Sequence, residues 1–158
     1  MKETDLYCPM KKWLSRYLED IYSHYEIITI DSHTEYLDRV LAKYGINDPI
    51  TIGIKIKIDV LGIAHNKYNH LLFFIEAKTT NLTLRDLGQL WAYCKLIDPK
   101  EAFIFTTAGF GALNKILNIY NRDDLLDFGD GKNIKKMRVA TWNIKTNAPD
   151  FNTMIPKL

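Results

Sequence analysis

The sequence predicts an α/β protein, a mixed β-sheet flanked by helices, built from residues 1–158 as a single domain. Three observations point there. Residues 54–60 alternate strictly, with Ile54, Ile56, Ile58 and Val60 on one face and Lys55, Lys57 and Asp59 on the other. LLFFIEAK at 71–78 and EAFIFTT at 101–107 are apolar runs of buried-strand length. Around these runs, apolar residues recur instead at helical spacing.

Each element follows in order. Trp13, Leu14, Tyr17, Leu18, Ile21, Tyr22 and Tyr25 form one broad face, so 9–24 is expected as an amphipathic helix with Pro9 in its first turn. EIITI at 26–30 is a short strand. Tyr36, Leu37, Val40, Leu41 and Tyr44 mark a helical stripe over 34–44, and Gly45 is placed to end it. Asn47-Asp48-Pro49 is a turn. Strands 54–63 and 71–79 are expected to pair through a polar connection at 64–70. Thr83 opens a capping-box pattern with Asp86, and the helix it starts runs to about Ile97, before Pro99. The strand at 101–107, a short helix near 111–120 and a last strand near 137–144 complete the order.

Bulk properties exclude several classes. The chain is 47% hydrophobic and 25% charged, the balance of a folded globular protein. No apolar run approaches the roughly 18 residues of a membrane span, and MKETDLYCPMKKW lacks the apolar core of a signal peptide. A cytoplasmic location and no membrane partner are therefore the expectation. Cys8 and Cys94 form no CxxC pair, which argues against disulfide scaffolds, zinc ribbons and iron–sulfur clusters. The net charge of +2 selects no partner. From residue 130 onward, however, Lys132, Lys135, Lys136, Arg138, Lys145 and Lys157 face only Asp130 and Asp150, either as a phosphate-contacting edge or as an ordinary solvated surface.

The chemistry concentrates in Asp59, Glu76 and Lys78, charged groups set into otherwise apolar strands. An unpaired charge taken out of water is very costly, so two carboxylates and a lysine there imply a compensating cation and a use for it. Period-two geometry puts Glu76 and Lys78 on one face, about 7 Å apart along the strand. Pairing of the two strands brings Asp59 beside them. Asp59 and Glu76 then suit Mg²⁺ or Mn²⁺, hard cations that take oxygen ligands and keep waters. The Ala77 backbone carbonyl is a further candidate ligand. Lys78 is placed to position the attacking water or to stabilise charge on a phosphate. Taken singly, each residue has a plainer reading: Asp59 paired with Lys55 or Lys57, and Glu76-Ala77-Lys78 as a strand end with an ion pair worth under about 1 kcal/mol.

The arrangement D-(x16)-E-A-K resembles the core motif of the PD-(D/E)XK nuclease superfamily, with Ile58 where the motif's proline would stand. Gln89-Leu90-Trp91-Ala92-Tyr93, eleven residues past the lysine, is similar to the QxxxY motif of some branches. The flanking ETDLYCPMKKWL and YNRDDLLDFGDG are similar to segments of uncharacterised archaeal and bacterial members. The resemblance implies a restriction-endonuclease-like fold with an αβββαβ core and a helical insertion. It implies Asp59, Glu76, Lys78 and Gln89 as catalytic residues and Asp59, Glu76 and the Ala77 carbonyl as metal ligands. Tyr93 would support the site, and an N-terminal acidic residue would assist the metal, with Glu3 and Asp5 as candidates and Glu19 and Glu35 as rivals. Gln89 and Tyr93, at i and i+4, share a face with Arg85 that would reach DNA or brace Lys78. Leu87, Leu90, Trp91 and Cys94 would pack on the sheet.

The function expected is hydrolysis of DNA phosphodiester bonds by a Mg²⁺- or Mn²⁺-dependent nuclease; RNA shares the chemistry. The alternative, from a different class, is a non-catalytic nucleic-acid-binding or assembly subunit on the same fold. A homodimer would suit the cutting of both strands, although no residue specifies one. His24, His33, His65 and His70 share no helical face and read as surface residues, with His65 and His70 able to meet across a turn. No G-x-S-x-G or G-x-x-x-x-G-K-[ST] occurs, so serine-hydrolase and P-loop readings have no support.

Overall fold

In the computed structural model, which describes residues 1–158, helix α1 (Thr4–Ile21) starts well ahead of the expected residue 9. Pro9 lies inside it rather than in its first turn. A proline there removes one backbone bond and costs about 3 kcal/mol. The stripe Leu6, Tyr7, Met10, Trp13, Leu14 and Leu18 is buried on both sides of it, at roughly 1.5–3 kcal/mol for each large side chain. Burial therefore wins, and the helix runs through the proline.

β1 (Glu26–Asp31) forms as expected. Helix α2 (Leu37–Ala42) is shorter than the predicted 34–44, though Leu37, Val40 and Leu41 are its buried face. Gly45, at φ 73°, follows it in the left-handed conformation that glycine tolerates.

The largest correction concerns 54–63. The ladder begins only at β2 (Val60–His65), which pairs antiparallel with β1 and with β3 (His70–Lys78). Ile56 and Ile58 are buried, but their carbonyls accept from the Leu37 N–H (2.8 Å) and the Ser32 hydroxyl (2.6 Å) instead of a strand partner. The alternation thus reports burial beneath α2, not a sheet face. Val60 turns to the opposite side, among the residues packed against α1. The connection between β2 and β3 is correspondingly tight: the Asn66 N–H donates to the Asn69 carbonyl, and His65 faces His70 in the register.

Helix α3 (Leu84–Ile97) carries the predicted capping box, Thr83 and Asp86 each receiving the other's backbone N–H. β4 (Glu101–Thr106) lies parallel to β3. The short helix expected near 111–120 is present as a π-helical turn (Lys115–Ile119), and a 3₁₀ turn (Asp123–Leu126) follows it. A hairpin of β5 (Asp127–Asp130) and β6 (Asn133–Lys136), which the sequence did not signal, then forms across Gly131-Lys132. β7 (Arg138–Asn143) runs parallel to β4, and β8 (Ala148–Pro149) closes the edge. The main sheet has the order β1-β2-β3-β4-β7-β8, mixed in direction. No helix is long and apolar enough to cross a membrane.

Each face of the sheet carries one core cluster. Phe73, Ile75, Phe103, Phe105 and Trp142 pack against α1, with Trp13 edge-on to three of these rings. Phe74, Leu61, Ile104 and Val139 pack against α2 and α3. At Gly62 α1 approaches the sheet closely. A Cβ there would lie 2.9 Å from Leu18, 3.0 Å from Leu14 and 3.1 Å from the Phe73 Cβ. Gly62→Ala is expected to destabilise by about 1–3 kcal/mol through overpacking. Denaturant midpoints measure it, and an unchanged midpoint would show that α1 shifts freely.

Candidate functional site

The site forms where β2 and β3 part. Their last paired residues are Val60 and Ile75. Beyond them Asp59 leaves the ladder, and its carboxylate takes the place of a strand: Oδ2 accepts the Ala77 N–H at 2.9 Å. On the other side of β3, the Lys78 carbonyl accepts the Thr107 N–H at 3.0 Å. Backbone groups alternate along a strand, so the Ala77 carbonyl points to the same side as its N–H, towards Asp59.

Glu76 and Lys78 share the face of β3 that carries Leu72 and Phe74. Glu76 is only 8% exposed, and Lys78 Nζ donates to its Oε1 at 3.0 Å. The same ammonium lies 4.0 Å from Glu3 Oε1, at the start of α1. Among the four N-terminal acidic candidates, only Glu3 approaches. Asp5 accepts the Lys2 N–H, Glu19 the Ser15 hydroxyl, and Glu35 the Lys43 ammonium. Glu76-Ala77-Lys78 is therefore no solvent-exposed strand end, although its ion pair exists.

The electrostatics are unbalanced. Burial pushes the Glu76 carboxyl up to about 7, and repulsion from Asp59 adds to it against the pull of Lys78. Burial also raises Asp59, opposed by the Ala77 N–H and the Tyr7 hydroxyl. Burial works to lower Lys78, but the carboxylates outweigh it and hold the ammonium charged. One lysine thus serves three carboxylates. The oxygen-only set of Asp59, Glu76 and the Ala77 carbonyl fits a hard divalent cation whose waters complete the shell. No group of three or more His, Cys, Asp or Glu side chains is arranged to hold a metal ion.

Sequence reasoning missed Tyr7. Its hydroxyl donates to Asp59 Oδ1 at 3.1 Å, and burial together with Asp59 raises its pKa. Starting α1 at residue 9 hid it; Leu6-Tyr7-Met10 at helical spacing was the available signal. Tyr7 also packs on the His33 ring at a centroid distance of 4.7 Å, and His33 Nδ1 is held by Asp31. His33 is thus half-buried beside the site rather than a plain surface residue.

Gln89 and Tyr93 meet each other as the helical spacing requires, Nε2 to hydroxyl at 3.2 Å. No hydrogen bond or ion pair joins them to Asp59, Glu76 or Lys78. Trp91 does not pack on the sheet with Leu87, Leu90 and Cys94: it is 39% exposed, and its indole N–H donates to the Asp127 carbonyl of the hairpin. Three of the six residues of the C-terminal basic edge are paired with carboxylates. Lys135 pairs with Asp98, Lys136 with Asp127, and Arg138 with Glu101. Comparison with protein-family models, curated proteins and solved structures returns no match to this chain.

Proposed function

We propose that this chain is a metal-dependent nuclease of the PD-(D/E)XK kind, with a restriction-endonuclease-like sheet, that hydrolyses DNA phosphodiester bonds. The carrying observation is the junction itself: buried Glu76 and half-buried Asp59 meet Lys78 and the Ala77 backbone where two strands diverge. Titratable groups whose environments are strongly perturbed cluster at functional sites.

In this reading Asp59, Glu76 and the Ala77 carbonyl hold Mg²⁺ or Mn²⁺, which supplies Lewis acidity at the phosphate. Tyr7 and the Ala77 N–H fix the Asp59 carboxylate in one orientation. Lys78 exchanges its bond to Glu76 for the phosphate oxygen or the attacking water. Glu3 helps to keep that ammonium charged. Gln89, with Tyr93 beside it, belongs to the surface that follows the strand being cut.

The test pairs two measurements. Wild-type protein should cut plasmid, linear duplex, single-stranded or junction DNA only with Mg²⁺ or Mn²⁺. Asp59→Asn should lose both cutting and Mn²⁺ binding measured by calorimetry. Equal Mn²⁺ binding by wild type and Asp59→Asn would remove the metal assignment. A wild type that neither binds Mn²⁺ nor cuts would leave the non-catalytic nucleic-acid-binding reading in its place.

A further inference from the structure

A cleft of about 720 Å³ opens beside β7, between the 110–123 segment and the C-terminal residues. Its floor is apolar, from Phe110, Leu117 and Met154. Its rim carries the carboxamides of Asn114, Asn118, Asn121 and Asn152. The only ammonium there, Lys157, is already held by the carbonyls of Phe151 and Asn152 at 2.9 and 2.7 Å. Asp123, 3.7 Å from the Lys136 ammonium, offsets the Lys157 charge, so the lining carries no net charge. Such a lining suits a flat, neutral, hydrogen-bonding group.

The sheet register fixes where this cleft lies. Lys78 is paired with Thr106 of β4, and Thr106 with Thr141 of β7, which lines the cleft. Adjacent strands are about 4.8 Å apart, so the Cα atoms of Lys78 and Thr141 lie about 10 Å apart. All three side chains belong to the same face, since Phe74, Ile104 and Val139 of the same strands share one core cluster. Thr106 is buried between them, its hydroxyl bonded to the Thr80 carbonyl. The cleft therefore adjoins the carboxylate–lysine site along one edge of the sheet.

From this geometry we infer that the cleft is a nucleobase-binding subsite, which takes a base of the strand that the adjoining site cuts. An asparagine carboxamide offers a donor and an acceptor side by side, the pattern that pairs with a base edge. The apolar floor takes the ring face. The Asn114–Asn118 bond (2.6 Å) pre-sets one amide and leaves the second Asn118 function free. The inference rests on the nuclease reading for the identity of the bound strand, but not for the binding itself.

The test uses the full chain and the four deoxynucleosides, with deoxyribose and inorganic phosphate as controls. Saturable shifts of the four asparagine carboxamide resonances are expected with nucleosides and not with the controls. The double variant Asn118→Ala/Asn152→Ala should bind about tenfold more weakly or worse. Deoxyribose or phosphate matching the nucleosides, or no saturable shift at millimolar nucleoside, would overturn the inference. The two readings fail separately. A wild type that cuts DNA while nucleosides ignore the cleft keeps the nuclease and loses the subsite. Nucleoside binding by a protein that cuts nothing keeps the subsite and loses the nuclease.

Discussion

If the chain is the proposed nuclease, Lys78→Ala is expected to fold, to keep divalent-cation binding and to lose cleavage by at least about 10²–10³-fold, the cost of removing one electrostatic contact to a charged transition state. The lysine is the only cation within 4.0 Å of Glu76 or Glu3. It is half-buried, so its charge is weakly screened. Removing it takes a positive charge away from a divalent cation, so metal affinity should hold or rise. In the proposed mechanism, what disappears is the ammonium that would follow the phosphate or the attacking water. Single-turnover cutting with matched Mn²⁺ titrations separates these effects. Wild-type cutting by the variant would sink the mechanism, and lost metal binding would make Lys78 structural instead.

Glu76→Gln is expected to abolish metal-dependent cutting while stabilising the metal-free protein above neutral pH. The sign follows from linkage. Glu76 titrates near 7 in the folded chain against an ordinary 4.5, so between these values the folded state binds the extra proton. Stability then falls as pH rises from about 4.5 through 7. That displacement corresponds to a penalty on the order of 3 kcal/mol, expressed fully above pH 7. Glutamine keeps the shape without the charge and removes that slope. Denaturant midpoints at pH 5 and pH 8 should differ less in the variant, which should be the more stable of the two proteins at pH 8. If Glu76→Gln is less stable than wild type at pH 8, the carboxylates are not in conflict. Added Mg²⁺ should stabilise wild type in the same range and leave the variant unmoved.

Much of this was legible locally. Glu76 and Lys78 sit two apart in a strand whose apolar run identified it, so their shared face followed from the pleat alone. The Thr83–Asp86 cap and the Gln89–Tyr93 contact likewise depend only on residues within one helical turn. These are short-range relations, set by backbone geometry that every chain shares.

Tertiary structure decided the rest. The pattern of isoleucines at 54–58 is the same whether they line a sheet or pack beneath a helix; only the bonds from Ser32 and Leu37 distinguish the two. Asp59 reaches Ala77 because β2 begins one residue later, and that depends on a partner strand remote in sequence. Tyr7 joins Asp59 across 52 positions, and Trp91 leaves the sheet because a hairpin 36 residues away offers its indole a carbonyl. Periodicity indicated most of the residues of this protein that are buried. Which of them meet was decided by long-range packing, because burial is satisfied by any apolar neighbour, whereas a hydrogen bond or an ion pair needs one partner at one distance.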